Sequence, residues 1–250
     1  RRQRQMCIRD WHNLLAQDTG RFAYPNTYQV TNPHSFLRTE ESLSRRFGWM
    51  VPKTRPMDAM ELNFQSPQED ELALCLMSQL SPYLEISFPR NEETYGRHLT
   101  FRDVPGEEVE RWKNSFIRFL RKLTFKYEKP LLLKSPSHTA RVRLLLEMFP
   151  DARFVHIHRD PYQVFQSCRH YYDTATWFTY LQRPDLQAID DRILRRHVEL
   201  YDAFFEERVL IPEGRFHEVR FEDLEREPVA EIHKLYNHLQ LGNFDCVQPK

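Results

Sequence analysis

Between Leu131 and Val164 the chain alternates short apolar runs with polar turns at a spacing that few folds accommodate. Leu131-Leu132-Leu133 is followed by the turn Lys134-Ser135-Pro136-Ser137, and Val142, Leu145, Leu146 and Phe149 then mark one face of a helix that Pro150-Asp151 ends. Phe154-Val155-His156-Ile157 reads as a second strand, closed by His158-Arg159-Asp160-Pro161. Asp160 suits an N-cap and Pro161 the first helical position, so another helix starts at once. Strand, helix, strand, helix predicts a βαβ unit with parallel strands and a right-handed crossover. The class is α/β.

The flanking sequence fits that frame. Ser66-Pro67-Gln68-Glu69 reads as a helix start, with Ser66 capping, Pro67 first in the helix and Glu69 closing a capping box. Leu72, Cys75, Leu76 and Leu80 would form the buried stripe of that helix. A second helix follows Gly106, carrying Val109, Trp112, Phe116, Phe119, Leu120 and Leu123 at helical spacing. Leu194, Val198, Tyr201, Phe204 and Phe205 outline a long helix, Arg215 to Phe221 another strand, and Val229, Ile232, Tyr236 and Leu239 a closing helix. No repeat or flexible Gly/Ser linker interrupts the chain. Its 250 residues therefore fit one domain, 1–250, with a mainly helical insert around 40–125.

Composition removes several function classes. With 36 basic and 36 acidic residues the chain lacks the basic footprint of a general nucleic-acid binder, and a membrane-surface reading is weakened equally. No apolar run reaches bilayer length, and Arg1 to Asp10 lacks the apolar core of a signal peptide. Cys7, Cys75, Cys168 and Cys246 form no C-x-x-C pair, which excludes a zinc knuckle or dithiol motif and favours a reduced, cytoplasmic setting. The six glycines complete neither a G-x-G-x-x-G nor a Walker A pattern.

Ligands of open parallel sheets bind beyond the carboxyl ends of the strands. Two polar turns fall there, Lys134 to His138 and His158 to Pro161, and each leads into a helix N-terminus that favours an anion. Lys134 offers a mobile point charge, and Arg159 a planar fork suited to phosphate oxygens. Ser167 adds a hydroxyl two turns into the second helix. Together they would hold a doubly phosphorylated ligand without a glycine loop. The plainer alternative is that Lys134 and Arg159 pair with nearby acids at the sheet edge.

The stretch Leu131 to Ser167, LLLKSPSHTARVRLLLEMFPDARFVHIHRDPYQVFQS, closely resembles sulfotransferases that use 3′-phosphoadenosine-5′-phosphosulfate (PAPS). It is most similar to the bacterial-type branch with K-S-P-x-H followed by R-D-P-x-x-V-x-x-S. The likeness extends to His12-Asn13-Leu14-Leu15-Ala16-Gln17-Asp18, Arg55-Pro56-Met57-Asp58, Pro67-Gln68-Glu69-Asp70-Glu71 and Val219-Arg220-Phe221-Glu222-Asp223-Leu224. This resemblance implies a P-loop-kinase-like fold, a three-layer parallel sheet flanked by helices. It also implies metal-free transfer of a sulfuryl group from PAPS to a small-molecule hydroxyl acceptor. Arg159 and Ser167 match positions that grip the nucleotide 3′-phosphate, and Lys134 a lysine beside the transferring group. His138 is the candidate general base, since an imidazole exchanges a proton near neutral pH. The aromatic content favours a lipid, sterol, quinone or phenolic alcohol over a heavily charged glycan.

One segment departs from the family pattern. Relatives carry a loop of the form G-x-x-R-S-G-T-T before the counterpart of His12, where this chain has Met6-Cys7-Ile8-Arg9-Asp10-Trp11. Without glycine's freedom that segment is poorly suited to cradling a 5′-phosphosulfate. The chain also reaches Lys250 before the family's final basic segment. A second reading follows: an inactive protein of the same fold that binds a partner or hydrophobic ligand. His158-Arg159-Asp160 imitates a kinase motif, but Phe165 stands where that pattern needs Asn. His156 and His158 share a strand face without a third zinc ligand nearby. The Glu69-Asp70-Glu71 cluster is explained by the helix dipole alone. His170-Tyr171-Tyr172 and Trp177-Phe178 read as core rather than as an acceptor pocket.

Overall fold

Extended backbone sends alternate side chains to opposite faces, and two short segments use this to divide the molecule into layers. Leu131, Leu133 and Phe154 pack against one apolar cluster, while Leu132, Val155 and Ile157 pack against another. The structure, a computed structural model, describes residues 8–50 and 63–244. Arg55 to Asp58, Met6, Cys7, Cys246 and the end of the chain at Lys250 lie outside the described residues.

Along the chain run α1 (Ile8–Leu15), α2 (Thr27–Thr31), α3 (Phe36–Phe47), α4 (Asp70–Ser78), α5 (Leu84–Ser87), α6 (Glu92–Gly96) and α7 (Gly106–Tyr127). A 3-10 helix, Pro136–Ala140, then leads to α8 (Val142–Met148), β1 (Phe154–His158), α9 (Pro161–Thr174) and α10 (Ile189–Glu207). β2 (Phe216–Arg220), α11 (Phe221–Arg226) and α12 (Pro228–His238) follow. β1 and β2 pair in parallel, from Phe154 opposite Phe216 to His158 opposite Arg220. A tight turn enters β2: the Arg215 N–H donates to the Pro212 carbonyl across Gly214, whose φ of 75° is one a side chain rarely adopts. The fold is α/β, with a parallel sheet and flanking helices.

The first cluster is built on α7, whose Trp112, Phe116, Phe119 and Leu123 are fully buried, as their helical spacing predicts. Ala73 and Leu74 of α4 and Phe36 of α3 close it. The second joins Val219 of β2 to Leu224 of α11 and to Ile232, Leu235 and Tyr236 of α12. Among the described residues no helix is long and apolar enough to cross a membrane.

Several expectations need correction. Leu131 makes a single parallel bridge, with Ala23, so the ladder partner of β1 among the described residues is β2. The helix predicted from Ser66 begins at Asp70, because the backbone of 66–68 is engaged by 25–27: the Thr27 N–H donates to the Ser66 carbonyl and the Gln68 N–H to the Pro25 carbonyl. The buried side of α4 carries Asp70, Glu71, Ala73, Leu74 and Ser78, while Leu76 is exposed. On α10, Leu194, Val198 and Phe205 are exposed, and the buried side includes Arg192 and Glu207. Both reversals have one cause: charged side chains that find partners displace apolar ones from the interior. Arg192 donates to Glu92, and Glu207 accepts from Arg102 and from the Arg143 N–H.

Glu85 of α5 faces α10, where Arg196 lies 2.6 Å away. Burial outweighs that cation and pushes the Glu85 carboxyl up to about 7. A carboxyl raised on folding stabilises the protein fully below its unfolded value and loses that contribution as pH rises through the folded one. Unfolding free energy should therefore decline between pH about 4.5 and about 7, and Glu85→Gln should flatten that part of the profile. An unchanged slope in the variant would show that another group carries it.

Candidate active site

Three consecutive acids at the start of α4 meet three bases around the 3-10 helix. Glu69 pairs with Lys134, Asp70 with His138 and Glu71 with Arg141. Lys134 precedes the 3-10 helix, His138 lies within it and Arg141 ends it, so this short stretch lays its three bases along the start of α4.

The innermost pair is the anchor. Arg141 and Glu71 are both fully buried. Arg141 Nη1 donates to Glu71 Oε2 at 2.7 Å and Nη2 to Oε1 at 3.2 Å, a two-pronged pairing. Its remaining donors reach the carbonyls of His98 at 2.7 Å and Leu99 at 3.1 Å. The guanidinium lies over the rings of Phe101 and Trp112, and the Ser81 hydroxyl donates to Glu71.

One step outward, Asp70 is completely buried and accepts from His138 Nε2 at 2.7 Å. A carboxylate that takes the Nε2–H leaves Nδ1 as the nitrogen free to accept a proton. His138 Nδ1 has no hydrogen-bond partner within the protein, nor has Asp70 Oδ1. The His138 ring also packs on Phe116. Outermost, Glu69 accepts from Lys134 and from the Tyr83 hydroxyl. Burial, reinforced by Glu69, pushes the Tyr83 phenol well above its usual range, which keeps it a donor.

The second corner forms where β1 ends. Asp160 caps α9 by accepting from the Gln163 N–H at 3.1 Å, as its sequence position predicts. Arg159 is held from two sides: it lies 4.5 Å over the Phe221 ring, and its Nη2 donates to Gln163 Oε1 at 2.9 Å. Its Nε is buried without a partner. Ser167 follows Gln163 by one helical turn, so these two share a face of α9. Ser167 is exposed.

A cavity of about 1390 Å³ joins the corners. Lys134, Ser135, His138 and Arg159 all line it; Ser167 does not. Its walls are mostly apolar, with Val164 and Phe165 from α9 and Leu200 and Phe204 from α10, while Glu85, Arg153, Arg192 and Arg196 also line it. Tyr172 also lines it, correcting its reading as core. Trp177 and Phe178 are neither core nor lining: both are exposed. His156 Nδ1 lies 2.9 Å from Glu218 Oε1, an ordinary strand pairing. No group of three or more His, Cys, Asp or Glu among the described residues is arranged to hold a metal ion.

The structure brings Lys134, His138 and Arg159 onto one cavity, and the sequence reading did not foresee the acidic partners of Lys134 and His138. The helix dipole does not account for Glu69-Asp70-Glu71, because each acid has its own basic partner. The available signal was the coincidence of three adjacent acids with three bases close together in the sequence. Arg141→Leu, which leaves Glu71 buried and unmatched, should lower unfolding free energy by about 3–5 kcal/mol in urea titration. Adding Glu71→Leu should recover part of that loss. A single variant as stable as the parent would contradict the anchoring role.

The sulfotransferase family model matches residues 11–245. Two curated relatives, the omega-hydroxy-beta-dihydromenaquinone-9 sulfotransferases Stf3 of Mycobacterium bovis and Mycobacterium tuberculosis, are each 39% identical over 239 residues. Those alignments cover 96% of this chain and 61% of the relatives, so the chain spans about three fifths of their length. Among solved structures, sulfotransferase STF9 from Mycobacterium avium superposes with a TM-score of 0.71 at 22% identity, covering 92% of this chain and 59% of that one. Sulfotransferase STF1 from Mycobacterium tuberculosis does so with a TM-score of 0.71 at 19% identity, covering 95% and 65%. These two share the fold. With two cationic corners on one cavity and a family match across nearly its whole length, the chain belongs to the sulfotransferase family.

Proposed function

We propose that this protein transfers a sulfuryl group from PAPS to the hydroxyl of a hydrophobic small molecule. The observation that carries this reading is the convergence of Lys134, His138 and Arg159 on one cavity whose other walls are mostly apolar, with Glu85, Arg153, Arg192 and Arg196 among the exceptions. Arg159, fixed over Phe221 with an unused Nε, is suited to the 3′-phosphate, and Ser167, one turn beyond Gln163 on α9, would complete that grip. Lys134 would lie at the other end, where its ammonium stabilises charge on the transferring group. Two of its three donors remain after Glu69 has taken one. His138 Nδ1 would take the acceptor proton while Asp70 holds the ring.

In the reaction the acceptor oxygen attacks sulfur and the bond from sulfur to the 5′-phosphate oxygen breaks. Adenosine 3′,5′-bisphosphate departs with that electron pair, and the acceptor proton passes to His138. Placement and fixed charge do most of the work in such in-line transfers. The substrate for which the curated relatives are named, an omega-hydroxylated dihydromenaquinone, fits the mostly apolar walls, and we extend that acceptor class, a hydroxylated isoprenoid quinone, to this chain. The free thiols Cys75 and Cys168 support a reducing, cytoplasmic setting. Of the segment that departs from the family's phosphate loop, Ile8 onward forms α1. The described 5′ end of the site therefore rests on Lys134 and its neighbours.

Adenosine 3′,5′-bisphosphate at about 100 times its dissociation constant should stabilise the protein by about 2.7 kcal/mol in thermal unfolding. No shift would favour the inactive binding protein. Arg159→Ala should weaken that binding, and unchanged affinity would remove Arg159 from the phosphate site. His138→Ala should slow transfer from labelled PAPS to the hydroxylated quinone by about 10²-fold or more with bisphosphate affinity retained. An equal loss of both would show that His138 serves binding instead.

A further inference from the structure

Ser135 stands between the two residues assigned to the transferring group, and its side chain does nothing for the fold. It occupies the N-cap of the 3-10 helix with extended backbone, φ −149° and ψ 135°, the position from which a serine usually accepts a backbone N–H. Here the carbonyl oxygen of Ser135 takes the His138 N–H at 3.2 Å, and the hydroxyl makes no capping bond. The residue is 9% exposed, and its Oγ has no hydrogen-bond partner in the protein. A buried hydroxyl left in that state costs about 1–3 kcal/mol. The residue itself lines the cavity together with Lys134 and His138.

Two neighbouring atoms share its condition. His138 Nδ1 and Asp70 Oδ1 also lack partners, whereas Arg141, three residues beyond His138, has bonds to Glu71, His98 and Leu99. Of the two, His138 lines the same cavity as Ser135. Of these atoms only the Ser135 hydroxyl is a neutral donor, and it adjoins a lysine already shared with Glu69. A neutral donor beside a cation suits an anionic oxygen.

We propose that the Ser135 hydroxyl donates to a non-bridging oxygen of the sulfuryl group of PAPS, steadying that group as its bond to the 5′-phosphate opens. This rests on the sulfotransferase reading above and adds a residue to it. No bond to Ser135 forms or breaks.

The test compares two nucleotides that differ by the sulfuryl group, PAPS and adenosine 3′,5′-bisphosphate, on the unaltered protein and on Ser135→Ala. The alanine variant should bind PAPS at least tenfold more weakly, as expected for a lost hydrogen bond to a charged group. Its affinity for the bisphosphate should stay within about twofold, since that bond is absent there. Its thermal midpoint without ligand should be equal or higher, because an unsatisfied hydroxyl has gone. Equal losses for both nucleotides, no loss for either, or a lowered midpoint would each overturn the assignment. Failure of the unaltered protein to bind either nucleotide would instead bring down the sulfotransferase reading, and the Ser135 role with it.

Discussion

A buried ion pair, Arg141 with Glu71, sets the geometry on which the candidate active site depends. Both side chains are sealed from solvent, and such a pair tolerates little misplacement because each charge relies on the other for the solvation it has lost. The pair ties the end of the 3-10 helix to the first turn of α4. Beside it His138 meets Asp70 from within the 3-10 helix and Lys134 meets Glu69 from the extended segment before it, with decreasing burial. The gradient runs from structure to chemistry. The innermost base is saturated with partners, the middle one keeps a free ring nitrogen, and the outermost keeps spare donors at the cavity.

Arg159 is positioned by different means. An aromatic face and a glutamine amide hold its guanidinium, so little of its charge is neutralised within the protein. Lys134 and His138 each have a carboxylate instead. One corner is therefore built to attract a full negative charge. The other is built to fix a proton acceptor and a cation in mutual register. That asymmetry suits a donor with a permanently charged phosphate at one end and a reacting group at the other. The bland alternative, pairing with nearby acids, describes Lys134 and fails for Arg159.

Much of this was legible in the sequence. The turns after Leu133 and Ile157, the Asp160 cap and the buried stripe of α7 follow from local rules of capping and periodicity that tertiary contacts did not disturb. What could not be read depended on partners distant in the chain. Hydrophobicity alone places Leu76, Leu194 and Val198 inward, yet their helices turn other faces inward because Glu71 meets Arg141 and Arg192 meets Glu92. Ser66 satisfied every local rule for a cap and was diverted by backbone pairing with Thr27. Periodicity measures the average preference of a face and cannot see a specific ion pair across 70 residues of sequence. The acid triplet was misjudged for the same reason.

The account stands on one claim: the two corners of the cavity grip opposite ends of a single nucleotide. A crystal structure with adenosine 3′,5′-bisphosphate bound tests it most directly. The account predicts the 3′-phosphate within hydrogen-bond reach of Arg159 and the 5′-phosphate on the side of Lys134 and Ser135. A nucleotide bound in the reverse sense, or seated away from both corners, would contradict it.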